Sequence, residues 1–118
     1  MSTSNSSFLS DFAVMSSFGA TAGGGVDRQA GTAEDHATRA WFSTWLADHG
    51  LTEAVDPAGN QFGLAELVPG APWVLLGSHL DSQPLAGRYD GAYGVLAAAH
   101  AVVRAAAAAE AGQLVPVF

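Results

Sequence analysis

Three side chains in the second half of the chain are of types that could do chemistry together: His79, Asp81 and Asp90. A neutral imidazole and an ionised carboxylate form a donor set suited to Zn²⁺ and its first-row neighbours, and a ligating histidine needs a carboxylate or carbonyl on its other ring nitrogen. The spacing therefore makes His79 and Asp90 candidate metal ligands, with Asp81 as the supporting, catalytic carboxylate. The same spacing also fits a strand-end loop with solvated polar residues. The sequence holds no cysteine, so a metal site here must be built from histidine and carboxylates.

Such residues need an element to present them. Trp73-Val74-Leu75-Leu76 is an apolar run bounded by Pro72 and by Gly77-Ser78, which predicts a buried interior strand over 73–77. That strand would deliver His79 and Asp81 at its carboxyl end, where ligands gather in open α/β sheets. Asp90 follows in a glycine-flanked turn, just ahead of an alanine-rich run from Ala92 to Ala111 whose composition predicts a long helix. An anion is favoured at the start of that helix, which keeps Asp90 a competent ligand.

Two longer stretches, Gly77-Ser78-His79-Leu80-Asp81-Ser82-Gln83-Pro84 and Gly87-Arg88-Tyr89-Asp90-Gly91-Ala92-Tyr93-Gly94-Val95-Leu96, resemble the first metal-binding region of the M20-type metallohydrolases. Within that group the similarity is to the N-carbamoyl-L-amino-acid hydrolase, allantoate amidohydrolase and beta-ureidopropionase branch. Gly24-Gly25-Val26-Asp27-Arg28, the segment around Ala40-Trp41-Phe42 and Asp56-Pro57-Ala58-Gly59-Asn60-Gln61-Phe62-Gly63 follow in the order expected of that branch.

The resemblance implies an α/β fold, the N-terminal part of a three-layer mixed-sheet catalytic domain covering 23–118, preceded by a helix and glycine-rich connection over 1–22. It implies two divalent ions per complete site, zinc first, with Mn, Co or Ni as alternatives. His79 would bind one ion and Asp90 bridge both, while Asp81 would match the acid that supports the histidine. The implied activity is hydrolysis of a C–N bond in a linear amide, an N-carbamoyl amino acid or ureido compound, by a homodimer. An M20-type peptidase or deacylase is the alternative within enzymes. The family's Glu-Glu pair, whose first member is the general base, and two further histidine ligands have no counterpart here, so the chain by itself is expected to be a catalytically silent fragment. A small non-catalytic α/β domain is the reading from a different class.

Composition sets further bounds. The 118 residues fit one domain at most, and 49% hydrophobic against 13% charged residues describes a chain that folds. The net charge of −7 disfavours nucleic acid and anionic membrane as partners. The first residues hold no Lys or Arg, and no apolar stretch reaches the ~18 residues that span a bilayer, so a soluble, cytoplasmic protein is expected.

The remaining elements follow from periodicity. Phe8, Leu9, Phe12 and Met15 predict a short amphipathic helix over 4–18, capped by Ser6 or Ser7. Gly19 to Gly25 reads as a connection, either near the active-site face or as a flexible linker. Thr32 as cap, Glu34 and Asp35 in the first turn and Gly50 as stop predict a second helix, with Trp41, Trp45 and Asp48 on one line and Thr38, Phe42, Leu46 and His49 on the next, together one wide, mainly aromatic core stripe. His36 and His49 fall near its ends and read as solvated or dipole-related. Thr52 to Val55 and Asn60 to Leu67 are candidate hairpin strands around Asp56-Pro57-Ala58-Gly59. On the alanine-rich helix, Val95, Leu96, Ala99, Val102, Val103 and Ala106 form the expected packing stripe, His100 is expected to be partly exposed, and Leu114 to Phe118 is expected to begin another strand.

Overall fold

Ser4 opens the first helix by a reciprocal cap: its hydroxyl accepts the Ser7 backbone N–H at 3.1 Å, while the Ser7 hydroxyl accepts the Ser4 N–H at 2.7 Å. The cap thus lies at Ser4, ahead of the expected Ser6 or Ser7, because only there do two serines satisfy each other's orphan donors. The computed structural model describes residues 3–112 and contains helices α1 (Asn5–Ser17), α2 (Ala33–Asp48) and α3 (Ala92–Glu110) with strands β1 (Thr52–Val55) and β2 (Gln61–Leu64). The strand expected over 114–118 lies outside the described residues.

Helix α2 starts where its cap requires, with the Thr32 hydroxyl accepting the Asp35 N–H at 3.3 Å. Of its expected stripe, Thr38, Phe42, Trp45 and Leu46 are buried, while Trp41 and His49 are only half-buried and Asp48 is exposed. The hairpin pairs Thr52 with Leu64 and Val55 with Gln61. Its turn is held by the Asp56 carboxylate, which accepts the backbone N–H groups of Ala58 and Asn60 at 3.0 and 2.8 Å. Strand β2 stops at Leu64, short of the expected Leu67, because β1 offers it only four partners.

The core is shared by the three helices: Phe12 and Met15 of α1, Phe42, Trp45 and Leu46 of α2, and Leu96, Ala99 and Val103 of α3 enclose Leu51 and Leu80. Met15 and Leu96 are fully buried, each stabilising the fold by about 1.5–3 kcal/mol relative to exposure. By length and composition alone α3 could cross a bilayer, contrary to the expectation that no segment could. Here it packs its Leu96 face against α1 and α2.

This is a mixed arrangement of helices and a small sheet, as in the N-terminal part of an α/β domain. Two expectations are corrected. Residues 73–77 form no strand; Trp73, Val74, Leu75 and Leu76 are extended and exposed, Leu75 by 79%. A buried parallel strand exists only where neighbours pair both edges and cover both faces, and among the described residues nothing does so for this segment. His100 is not partly exposed but buried, at 3%. Its Nε2 donates to Asp11 Oδ2 at 2.9 Å, which makes burial tolerable in a way that α3 alone does not reveal.

Candidate metal centre

Leu80 decides how the site is built. Its side chain enters the core at a bend, and burial alternates along the segment: Leu80 and Ser82 are buried, while His79 is exposed and Asp81 half-buried, so the two emerge together on the open side. This alternation puts both members of His-x-Asp on one face without a regular strand.

The glycine-rich stretch is ordered and lies beside this segment. Val26 and Ala86 exchange both backbone hydrogen bonds, at 2.9 and 2.8 Å, and Ser82 N–H donates to the Arg28 carbonyl at 2.9 Å. Thr21 donates to Gly25 and Asp27 to Gly19, closing a tight reversal. A cavity of about 590 Å³ opens between Thr21–Gly25 and Leu85–Tyr89, next to Asp90 in sequence. Of the two readings for this stretch, the structure supports the one near the site.

Asp90 is set in the turn that leads into α3, and aromatic packing fixes that turn to α1. Tyr89 stacks on Phe12 with ring centroids 5.2 Å apart, and Tyr93 meets Phe8 edge-on at 5.5 Å. Gly91 then does two things. Its φ of +77° is a conformation that side-chain-bearing residues avoid, and a Cβ there would collide with the His79 imidazole and carbonyl. The imidazole thus sits in a cradle that only glycine leaves open.

Within that cradle His79 Nε2 lies 3.8 Å from Asp90 Oδ1. On the opposite edge of the ring, His79 Nδ1 is 2.9 Å from the Asp81 backbone carbonyl and 3.4 Å from Asp81 Oδ1. Both neighbours of Nδ1 are acceptors, so Nδ1 is the ring nitrogen placed to donate, and Nε2 is the edge that faces Asp90. Two donors each about 2 Å from an ion sit roughly 3–4 Å apart, and the observed pair meets that span. Donor chemistry, tautomer and cradle all fit a divalent cation. The site is open to solvent: the His79 side chain is 51% exposed and that of Asp90 71%.

The structure therefore brings together all three residues singled out in the sequence. Among the described residues, no group of three or more His, Cys, Asp or Glu side chains is placed to hold an ion, so His79 and Asp90 form a two-donor half-site. His36 is exposed on α2, and His49 donates from Nδ1 to the Trp45 carbonyl at 2.8 Å while stacking on the Trp45 ring. Sequence reasoning missed the structural part of Arg28, which is buried behind His79 and Asp81. In the sequence it stood only as the last residue of Gly24-Gly25-Val26-Asp27-Arg28, and its partners at Met15, Phe18 and Leu80 lie too far along the chain for a local pattern to reveal.

No family model matches the chain. It is 61% identical over 97 residues to a protein of Mycolicibacterium smegmatis whose name goes no further than hydrolase, a match covering 82% of this chain and 22% of that protein. It is 39% identical over 89 residues to the N-carbamoyl-L-amino-acid amidohydrolase of Rhizobium meliloti, covering 75% of this chain and 21% of the relative. The crystal structure of a hydantoinase/carbamoylase family amidase from Burkholderia ambifaria superposes with a TM-score of 0.81 at 43% identity, over 92% of this chain and 26% of that one. The chain thus spans about a fifth to a quarter of the length of these proteins. Over most of its own length, the chain is a homologue of the N-carbamoyl-L-amino-acid amidohydrolases, allantoate amidohydrolases and hydantoinase/carbamoylase amidases.

Proposed function

We propose that the chain forms the metal-holding half-site of a hydrolase that cleaves a C–N bond in linear amides, with N-carbamoyl amino acids or ureido compounds as the substrate class. The observation that carries this reading is the arrangement at His79: Nε2 is turned to Asp90, and Nδ1 is held by Asp81. His79 and Asp90 would hold a divalent ion, zinc first, with Mn, Co or Ni as alternatives; when bound, such an ion supplies Lewis acidity toward a carbonyl oxygen and acidifies water. What the chain's own residues contribute is orientation. The Asp81 carbonyl accepts from Nδ1, the Asp81 carboxylate stands beside the same ring edge, and Gly91 leaves room for the imidazole beside Asp90. The substrate class rests on the names of the relatives, and a second ion would need donors beyond the described residues.

The test has two arms. Zn²⁺ binding to the 118-residue chain is measured by calorimetry for the wild type, His79→Gln and Asp90→Asn. Each substitution is expected to weaken binding tenfold or more, and unchanged binding in both would overturn the site. In the second arm, residues 23–112 replace the matching segment of the Rhizobium meliloti amidohydrolase. Hydrolysis of N-carbamoyl amino acids by the chimera, abolished by His79→Gln, is the expected outcome. A folded, metal-loaded chimera without such turnover would overturn the substrate assignment.

A further inference from the structure

Among the described residues Arg28 is the largest fully buried side chain, 1% exposed, and its side-chain hydrogen bonds go to backbone carbonyls. Nε donates to the Leu80 carbonyl at 2.8 Å, and Nη1 donates to Met15 at 2.7 Å and Phe18 at 3.3 Å. The Arg28 main chain is tied to the same loop twice, its N–H donating to Ser82 Oγ and its carbonyl accepting from Ser82 N–H, both at 2.9 Å. Burial lowers the guanidinium from its ordinary range, with Asp35 and Asp81 pulling the other way, and the cation remains charged.

A buried charge is destabilising unless well satisfied, and an apolar side chain of similar volume would fill the space at less cost. Capping the orphan carbonyls at the end of α1 explains Nη1. It does not explain Nε, which grips the carbonyl of the residue between His79 and Asp81. With Leu80 fixed by its side chain and its carbonyl, and Ser82 fixed at its N–H and hydroxyl, the peptide planes around Asp81 have one orientation. In that orientation the Asp81 carbonyl points back to His79 Nδ1.

We propose that Arg28 is a positioning residue for the metal half-site: by clamping Leu80 to the end of α1, it fixes the Asp81 carbonyl and so holds His79 in the Nδ1–H tautomer that presents Nε2 to a metal. The inference rests on the reading of His79 and Asp90 as ligands and adds to it the residue that sets the ligand's protonated edge. Arg28 touches neither the ion nor a substrate, and its effect passes through three residues of backbone.

The tautomer can be read without metal or turnover. Long-range ¹H–¹⁵N spectra of the imidazoles are recorded at about pH 8, where imidazole is ordinarily neutral, on the chain carrying Leu75→Lys to keep it dispersed. His79 is assigned by its loss in His79→Gln. The expected result is predominantly Nδ1–H at His79, moving to predominantly Nε2–H in Arg28→Met, with Zn²⁺ affinity falling roughly tenfold or more. The Trp45 indole N–H, bonded to Asp11 at 2.8 Å, reports an intact core. Arg28→Met with that signal unchanged and His79 still Nδ1–H would overturn the role of Arg28. An Nε2–H form at His79 in the Leu75→Lys chain with Arg28 intact would instead overturn the underlying site. Should Arg28→Met lose the Trp45 signal, Ser82→Ala decides: it keeps the guanidinium and removes one tie, so a partial swing toward Nε2–H supports the proposal and an unchanged tautomer refutes it.

Discussion

Asp81 supports His79 by two separable groups, and substitution distinguishes them. Its carbonyl, the closer partner of Nδ1 at 2.9 Å, is retained in any variant, while its carboxylate at 3.4 Å is not. Asp81→Ala should therefore preserve the Nδ1–H tautomer and weaken Zn²⁺ binding by about tenfold, toward the low end for loss of an outer carboxylate. The side chain is half exposed, so the melting transition should move by no more than about 0.5 kcal/mol equivalent. Calorimetric titration alongside thermal denaturation checks both, and an unaltered metal affinity would return Asp81 to a solvated role. The three residues were legible in the sequence because His-x-Asp and a glycine-flanked Asp carry their chemistry in their types. Gly91 was legible only as a turn. That its missing Cβ makes the seat for the His79 ring depends on a contact spanning twelve positions, which local pattern does not encode.

Among elements, α1 proved to be more than an amphipathic appendage. Its Phe8 and Phe12 pack on Tyr93 and Tyr89 around Asp90, its terminal carbonyls receive Arg28, and its Asp11 joins all three helices by accepting from Trp45 Nε1 and His100 Nε2. Asp11 carries no local signal of this role. Its partners lie 34 and 89 positions away, so no window reveals them. The helix boundaries themselves were readable, because Thr32, Glu34, Asp35 and Gly50 act within a turn of where they stand. The Asp11 link has a pH consequence. Burial lowers His100 from its ordinary value near 6.5, outweighing the attraction of Asp11, and its buried Nδ1 has no partner to receive a second proton. The unfolded chain then binds a proton at His100 at higher pH than the folded chain does. Stability from this residue is full above about 6.5 and is lost as pH falls from there through the lowered folded value. His100→Gln, which keeps a donor for Asp11 but does not titrate, should flatten this acid-side decline in denaturant midpoints measured from pH 8 downward. His49 and Arg104, which also face His100, are unchanged in that variant. An identical slope in wild type and variant would assign the decline to the carboxylates instead.

At the scale of the whole molecule, helices and hairpin close a core on one side and leave the run from Trp73 to Leu76 uncovered on the other. The expectation of a buried strand over 73–77 rested on composition alone, four large apolar residues between proline and glycine, and the structure forms no strand there. Composition could not specify the neighbours, since a buried strand is a property of the sheet around it, and among the described residues β1 and β2 pair only with each other. The outcome is an extended apolar segment, with Trp73 62% exposed, flanked by the exposed Leu67 and Val68. Contiguous apolar surface with unpaired backbone donors and acceptors is a template for association. The 118-residue chain should therefore self-associate in a concentration-dependent way, and Leu75→Lys should oppose it twice over, by removing apolar area and by placing a charge at an unpaired edge. Transferring one leucine side chain out of contact costs about 1.5–3 kcal/mol, so the association constant should fall by roughly tenfold or more. Leu75 is 79% exposed and no member of the core cluster, and its replacement should leave the helical circular dichroism and the Trp45 indole signal as they are. Sedimentation velocity over a hundredfold range of concentration measures the effect directly, and a wild-type chain that stays monomeric across that range would show that the exposed run is compatible with a solitary molecule.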